Sequence, residues 1–326
     1  MEYRIKTIPQ DFIVTEFPIL DVNNQGEICC YILTKINLTT FNAIEILSQV
    51  YNKEKRAFGY AGLKDEDGVT IQYISCKGER LADFESNFDN DRYISFKYIC
   101  CLNKKIMVGG LYGNGFNITI RKLSDKIVKN ICERKIDFLY INYFDSQRFG
   151  LPGEKHVTHL LGKAIENNDI ELAKYYCTEG GQKIDGNSIM NEKYLKERMF
   201  FLNSWQSYVW NEKIKAKLLD QNKNQNITNV DGIEYIIPSQ ESIKKAFDEL
   251  SKLDRIKQYI CIKESQLQLI DNTRDVISKV KIYIDEVSSD ELFLGKMKLK
   301  VHFSLNKGVY ATMVLKHFME NISFKE

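Results

Sequence analysis

The amino-acid sequence predicts an α+β fold in which a helix-rich block is inserted between two strand-rich ends. Three observations carry this prediction. Apolar and polar residues alternate over much of the N-terminal third, helical periodicity dominates the middle, and alternation returns near the C-terminus. With 326 residues, of which 44% are hydrophobic, the chain can bury one large core or two smaller ones. We therefore expect a discontinuous domain that carries an insertion, with a cleft between two lobes.

The N-terminal third predicts strands around one helix. Thr39 or Thr40 can cap a helix from Phe41 to Tyr51, because a side-chain oxygen at that position accepts a hydrogen bond from the first turn. The alternation over residues 116–121 predicts a half-buried strand. The other strands of this part are expected at residues 3–7, 12–17, 29–34, 69–76 and 94–101.

The rest of the chain predicts helices first and strands again later. Ser239 is the expected N-cap of a helix over residues 240–253, and the polar run 221–226 is expected to be a loop. Further helices are predicted at residues 163–177, 192–219 and 312–320, and further strands at residues 279–283 and 298–305.

Composition argues against several classes of protein. No run reaches the roughly 18 apolar residues of a membrane span, and the N-terminus lacks the apolar core of a signal peptide, so we expect a cytoplasmic protein with no membrane partner. The net charge of +2 does not by itself indicate nucleic-acid binding. The eight cysteines contain no C-x-x-C pair and are expected to be reduced thiols. His156 and His159 have no cysteine nearby, so no metal site is expected.

Asp65 is the first candidate for chemistry. It follows Gly62 in a glycine-rich segment and precedes a strand-like run, which holds an acid on a rigid edge. The alternative is a turn or helix-cap aspartate, which is a common role. Lys64 is a poor counter-ion for Asp65, because neighbours on an extended chain point to opposite faces. A lysine or arginine from elsewhere is needed to keep the acid ionised in a cleft.

Three further segments each have a functional and a structural interpretation. The segment 109–116 is either a glycine-rich hairpin or a loop in which Asn114 orients a ligand and Phe116 offers an aromatic platform. Arg148 stands between aromatic residues and suits a contact with phosphate or carboxylate, although those aromatic residues can equally form core. Tyr310 stands among small residues, either in a site or in a turn before the last helix.

Together, and in this order, the four segments resemble the TruD family of tRNA pseudouridine synthases. The resemblance spans nearly the whole chain, with further matching pieces at residues 11–16, 35–40 and 207–211. The main matches are A-G-x-K-D-x-x-x-V-T-x-Q at residues 61–72, G-x-L-x-G-N-x-F at 109–116, N-Y-F-x-x-Q-R-F-G at 142–150 and G-x-[FY]-A-T at 308–312.

The resemblance implies an enzyme that isomerises a uridine in RNA to pseudouridine without a cofactor or metal. In bacterial members of the family the target is uridine 13 of tRNA. Asp65 is then the catalytic aspartate, Asn114 holds its carboxylate or the backbone near it, and Phe116 stacks on the target base. Lys6, Phe12 and Glu16 fall at the spacing of family active-site residues. Lys6 is the candidate counter-ion of Asp65, with Lys35 and Arg148 as rivals, and Tyr310 lines the pocket.

The resemblance also implies a domain division and a partner. Residues 1–153 and 298–326 are expected to form the catalytic domain, and residues 154–297 an inserted RNA-binding domain of the TRUD type. The expected partner is RNA, above all tRNA, and the expected state is a monomer. Two alternatives stay open: a pseudouridine synthase that acts on other RNAs, and a catalytically silent module that binds RNA or helps tRNA to fold. An ionised Asp65 can act as a nucleophile or remove the ribose C2′ proton, and the sequence does not choose between these routes.

Overall fold

The strands and helices can be given for residues 3–323, which the computed structural model describes except for 24, 90, 130, 132, 133, 151–154, 183, 185, 222–226 and 263–265. The predicted loop at 221–226 therefore lies outside the described residues, apart from Gln221, and so does Cys132. The strands of the described part are β1 (Phe12–Pro18), β2 (Ile28–Ile36), β3 (Phe58–Tyr60), β4 (Val69–Lys77), β5 (Phe84–Phe88), β6 (Arg92–Leu102), β7 (Leu111–Leu123), β8 (Lys135–Ile141), β9 (Ile227–Val230), β10 (Ile233–Ile236), β11 (Arg255–Ile262), β12 (Gln266–Thr273), β13 (Ile277–Ser289) and β14 (Met297–Asn306). The helices of the described part are α1 (Thr40–Val50), α2 (Asp125–Lys129), α3 (Thr158–Glu166), α4 (Ile170–Glu179), α5 (Leu195–Gln221), α6 (Gln240–Lys245), α7 (Phe247–Ser251) and α8 (Ala311–Ser323).

The chain forms two compact units, each made of two chain segments. The first unit contains Met1–Asp137 and Val280–Val309, and the second contains Phe138–Lys279 and Tyr310–Glu326. The inserted RNA-binding domain expected at residues 154–297 stays a prediction. No helix among the described residues is long and apolar enough to cross a membrane.

The main sheet is mixed, which confirms the predicted α+β class. Its strand order is β5-β6-β2-β4-β1-β7-β14-β13-β8, and β3 pairs with β4 alongside this path. Strand β1 runs parallel to β4 and antiparallel to β7. A parallel pair needs a long connection, and the chain between these two strands supplies β2, α1 and β3.

Helix α1 packs on one face of this sheet. It begins where the Thr39 side chain accepts a hydrogen bond from the Asn42 backbone N–H at 3.0 Å, so Thr39 and not Thr40 is the cap. The buried side chains of α1 join a core with apolar residues of β2, β4 and β6. The members of α1 in this core are Ala43, Ile44 and Leu47, and the sheet supplies Tyr31, Leu33, Ile74 and Phe96.

Two predictions for the first unit are wrong. Residues 3–7 form no strand: Arg4 makes an isolated bridge to Arg121, and Lys6 adopts φ +59°, which ends the extended run. The strand that contains residues 116–121 is not half-buried, because Arg121 on its second face is only 3% exposed. Its guanidinium is paired with Asp11 at 2.8 Å and Asp290 at 2.9 Å, which makes the burial of an arginine tolerable.

The second unit contains more and shorter helices than predicted. The segment 163–177 holds two helices, α3 and α4, because Asn168 adopts φ +57° and Asp169 then caps α4. The segment 240–253 likewise holds α6 and α7, and Ser239 is the N-cap of α6, as predicted. Helices α3 and α5 approach closely at Gly162, where an added Cβ would lie 2.0 Å from the Phe201 carbonyl oxygen. Only glycine therefore fits this helix crossing.

Replacing the buried Arg121 by methionine is expected to destabilise the protein strongly. The variant leaves Asp11 and Asp290 buried without their guanidinium, a change that costs about 3–5 kcal/mol in the free energy of unfolding. The matched control is Arg92→Met, which removes a solvent-exposed pair with Asp89 and should cost less than about 1 kcal/mol. Urea unfolding measures both. Equal losses of unfolding free energy in the two variants would contradict the assignment of Arg121 as the buried partner of Asp11 and Asp290.

Candidate active site

Asp65 lies in the turn that joins β3 to β4, and the backbone of this turn is held from several sides. Gly68 closes the turn at φ +124°, where an added Cβ would meet the Phe12 carbonyl oxygen at 2.4 Å, so glycine is required. At the start of the turn, the Gly109 backbone N–H donates to the Ala61 carbonyl at 2.7 Å. The turn is therefore anchored at both ends.

Lys35 holds the middle of the turn. Its fully buried Nζ donates to the Leu38 carbonyl at 2.5 Å and to the Asp65 carbonyl at 2.7 Å. Burial lowers the pKa of Lys35 to about 8, although Asp65 and Glu66 attract its charge. Lys35, a rival candidate for counter-ion, thus binds the backbone of Asp65 and not its carboxylate.

Thr40 and Gln72 hold the part of the turn before Asp65. The Thr40 hydroxyl accepts from the Lys64 backbone N–H at 3.0 Å and donates to Gln72 Oε1 at 3.0 Å. Gln72 Nε2 then donates to the Gly62 carbonyl at 3.4 Å. Two of the matching pieces, residues 35–40 and the V-T-x-Q part of 61–72, therefore serve to fix this one turn.

The carboxylate of Asp65 pairs with Lys6. Nζ of Lys6 lies 2.8 Å from Oδ2 of Asp65, and the two side chains are 21% and 35% exposed. The same Nζ lies 4.3 Å from the centre of the Phe12 ring. No described residue donates a hydrogen bond to Oδ1 of Asp65, so one oxygen is anchored and the other faces no protein donor.

Lys64 points away from this pair, as the alternation of an extended chain predicts. Its Nζ lies 2.6 Å from Oε2 of Glu16, and both side chains are buried. Oε1 of Glu16 accepts from the Tyr73 backbone N–H at 3.2 Å. Glu16 therefore ties the Asp65 turn to β1 and β4 through a buried ion pair.

Phe116 lies on the same face of the sheet as these groups. Lys35, Thr70, Val14 and Phe116 are successive cross-strand partners on β2, β4, β1 and β7, and such partners share a face. The Phe116 ring is 7% exposed, stacks on Phe303 with centroids 5.4 Å apart, and meets the edge of Phe12 at 6.2 Å. One face of the Phe116 ring is thus covered by protein.

Asn114 lies one step along the same face of β7, opposite Glu16. Its Oδ1 is buried and has no hydrogen-bond partner among the described residues. Asn114 makes no hydrogen bond to Asp65 in the described part of the chain. A buried acceptor without a donor is uncommon in folded proteins. Here it lies two residues from Phe116, whose ring forms an aromatic wall with those of Phe12 and Phe303.

The second unit contains the other two predicted residues and a guanidinium that the sequence did not reveal. Nη2 of Arg274 donates to the Asn142 side chain at 2.8 Å and to its carbonyl at 2.9 Å. The guanidinium carbon lies 4.0 Å from the centre of the Phe144 ring and 5.3 Å from that of Trp210. Burial lowers the pKa of Arg274 to about 10. No motif surrounds Arg274 in the sequence, so no signal marked it.

Tyr310 and Arg148 lie in this unit with their own neighbours. The Tyr310 ring meets the edge of Phe144 at 6.3 Å. Arg148 is half-buried, its Nε donates to Ser207 Oγ at 3.4 Å, and its guanidinium carbon lies 5.3 Å from the centre of the Phe200 ring. Burial lowers the pKa of Arg148. Asp65 belongs to the first unit and Arg148 to the second.

The segment 142–150 is divided between core and site. Tyr143 and Phe149 are buried, as their core interpretation predicts, whereas Phe144 is partly exposed over Arg274. The Asn211 amide brackets the Phe144 backbone, accepting from its N–H at 3.0 Å and donating to its carbonyl at 2.8 Å. Asp145 accepts from the Thr312 hydroxyl and from Lys316 Nζ.

Comparisons with known proteins agree with one another. A family model described as tRNA pseudouridine synthase D (TruD) matches residues 1–198. A "Probable tRNA pseudouridine synthase D 2" of Methanococcus maripaludis is 26% identical over 98% of this chain and 95% of its own length. A "tRNA pseudouridine synthase D" of Helicobacter acinonychis is 30% identical over 67% of this chain and 52% of its own. The crystal structure of a TruD protein from Methanosarcina mazei shares the fold, with a TM-score of 0.58 and 21% identity over 98% of this chain and 94% of that one.

The depressed pKa of Lys35 gives the turn a pH dependence. Between about pH 8 and 10.5 the unfolded chain binds more protons at Lys35 than the folded chain does, so this residue adds stability as the pH rises through that window. Lys35→Met removes this contribution. Urea unfolding at pH 8 to 10 is expected to show the wild type gaining stability relative to the variant as the pH rises.

The control for this pH series is Lys97→Met, which replaces a lysine whose side chain is 55% exposed. Its stability difference from the wild type should stay flat over the same range. A flat difference for Lys35→Met as well would contradict the buried state of the Lys35 ammonium.

Proposed function

Because the chain belongs to the TruD family of tRNA pseudouridine synthases, which are isomerases, we propose that it converts uridine 13 of tRNA to pseudouridine with Asp65 as the catalytic carboxylate. The observation that carries this proposal is the Asp65–Lys6 pair on a turn fixed by Lys35. A carboxylate that is anchored through one oxygen, partly exposed and next to an aromatic wall suits a reaction on a nucleoside.

The reaction needs an anionic oxygen at the ribose. The glycosidic bond at N1 breaks, the uracil turns, and a bond from C5 to the ribose takes its place, while C5 loses a proton and N1 gains one. Asp65 either attacks the ribose or removes its C2′ proton, and both routes use the carboxylate oxygen that Lys6 does not bind. A pocket that excludes water keeps the freed uracil close to the sugar, which favours recombination.

Phe116 and Asn114 are the proposed contacts of the target base. Removing a base from its stack costs a few kcal/mol, and stacking on an aromatic ring returns about 1–3 kcal/mol. The Phe116 ring face that Phe303 leaves uncovered is the proposed platform. The partnerless Oδ1 of Asn114 accepts an N–H of the uracil, a role that the described contacts favour over a bond to Asp65. Phe12 and Glu16 support the pocket through Phe116 and Lys64.

Arg148, Arg274 and Tyr310 are the proposed RNA contacts of the second unit. Half-buried guanidiniums beside aromatic rings suit phosphates and unpaired bases. Within this unit, residues 154–279 belong to the segment 154–297 that we propose as the RNA-binding insertion. A monomer acting on tRNA in the cytoplasm, without a metal or organic cofactor, completes the proposal.

Asp65→Asn is expected to lower the rate of pseudouridine formation by at least about 100-fold while RNA binding persists, because the amide keeps the shape and loses the anionic oxygen. Pseudouridine mapping on total RNA, with and without the protein, measures the activity and the modified position together. The matched control is Glu66→Gln, which removes the neighbouring exposed acid and should leave the rate unchanged.

The outcomes of the mapping separate the alternatives. Pseudouridine at position 13 of tRNA supports the proposal, and pseudouridine elsewhere supports a synthase for other RNAs. Binding without any modification would support the silent RNA-binding module. Wild-type activity in Asp65→Asn would remove Asp65 from its role.

A further inference from the structure

Three residues of β7 form a row that runs from the candidate pocket to the surface, namely Phe116, Asn114 and Tyr112. Phe116 and Asn114 alternate along the strand and therefore share a face, and Tyr112 follows them at the exposed end of the strand. Phe116 is 7% exposed, Asn114 is half-buried and Tyr112 is 69% exposed. At about 3.4 Å per residue, Tyr112 lies roughly 14 Å along the strand from Phe116. Leu111, which points the other way, is buried.

The row has only one end at the surface. Beyond Phe116 the same face continues with Ile118 and Ile120, which are 2% and 0% exposed. At the other end the register of β7 against β1 shifts between Phe17 and Pro18, opposite Tyr112. Such bulges occur next to active sites, where they redirect a side chain. An RNA strand with one nucleotide at Phe116 would therefore run past Tyr112 as it reaches the surface.

The loop beside Tyr112 is tied to the Asp65 turn. The Lys307 backbone N–H donates to the Tyr112 carbonyl at 3.0 Å, and Lys307 Nζ donates to the Gly109 carbonyl at 3.3 Å. The Gly109 N–H in turn donates to Ala61, four residues before Asp65. Tyr112 thus belongs to the rim of the same site.

The chemistry of this rim suits a nucleotide. The Tyr112 ring and hydroxyl contact no aromatic ring or hydrogen-bond partner among the described residues. Lys307 is exposed and has no carboxylate within 4 Å in the described part of the chain. Leu63, Met107 and Val108, in the two chain segments that the Gly109–Ala61 hydrogen bond joins, are also exposed. An exposed aromatic ring and, on the backbone hydrogen-bonded to it, a lysine whose ammonium has no counter-ion among the described residues offer a stacking surface and a phosphate contact.

We propose that Tyr112 stacks on the base of an unpaired nucleotide adjacent to the target uridine, and that Lys307 contacts the phosphate of that nucleotide. The proposal rests on the proposed function, because the target uridine defines which nucleotide is meant. It assigns Tyr112 and Lys307 as positioning residues: they set where the RNA strand leaves the pocket and so hold the uridine against Phe116. They take no part in the bond changes.

The test uses the full-length Asp65→Asn protein, so that binding is measured without turnover. The probe is a tRNA transcript that carries the fluorescent base 2-aminopurine on one side or the other of the uridine found by mapping. Stacking on Tyr112 is expected to quench the fluorescence of one of the two probes. In the background of Asp65→Asn, Tyr112→Leu should abolish this quenching and weaken binding by about 10-fold, whereas Tyr112→Phe should preserve both.

A transcript without a base at the quenched position provides the second measurement. If Tyr112 acts by stacking, Tyr112→Leu causes no further loss of affinity on that transcript. Lys307→Gln should lower the slope of log K against log salt by about 1. Thermal unfolding of each variant shows that it is folded.

Several results would overturn the proposal. These are the absence of quenching at both neighbouring positions, full quenching in Tyr112→Leu, and an equal loss on the transcript that lacks the base. If tRNA affinity is unchanged in Tyr112→Leu and a protein ligand competes with tRNA at this rim, the surface would be assigned to protein contacts instead. Failure of the proposed function itself would appear separately, as a lack of pseudouridine in the mapping with wild-type protein.

Discussion

The buried ammonium of Lys35 is the interaction on which the candidate site depends. It joins the end of β2 to the turn that carries Asp65, through the carbonyls of Leu38 and Asp65. Moving a lysine ammonium out of water costs free energy, which is why burial lowers the pKa of Lys35. The two hydrogen bonds offset part of this cost. Because Lys35 binds backbone atoms, the Asp65 carboxylate stays available to Lys6 and to a substrate. Lys6 therefore pairs with the Asp65 carboxylate, Lys35 binds the backbone of the turn, and Lys64 pairs with Glu16.

The same logic extends to the other segments that resemble the family. Many of their polar side chains hold a piece of backbone and expose little of themselves. Asn211 holds the Phe144 backbone, and Thr40 with Gln72 holds the Asp65 turn. Thr312 and Lys316 instead bind the side-chain carboxylate of Asp145. Such supports keep a few groups within the narrow tolerances that catalysis needs.

The features of the fold and of the candidate site that could be predicted from the sequence are those fixed by contacts between residues close together in the chain. The Thr39 and Ser239 caps involve residues three positions apart, and the sequence indicated Ser239 and limited the other cap to Thr39 or Thr40. The position of Lys6 came from a family pattern, whereas its left-handed backbone had no local signal. The burial of Arg121 and the placement of Arg274 depend on partners more than 100 residues away, Asp11 in one case and Asn142 in the other. Periodicity describes one element at a time, so it missed the second buried face of β7 and the breaks within the middle helices.

The central claim is that Asp65, fixed by Lys35 and paired with Lys6, meets the ribose of a uridine whose base lies on Phe116. A crystal structure of the Asp65→Asn protein bound to unmodified tRNA tests it most directly. The target base is expected against the Phe116 ring, with the side chain at position 65 within about 3.5 Å of the ribose. A bound tRNA whose uridine lies away from both residues would contradict it.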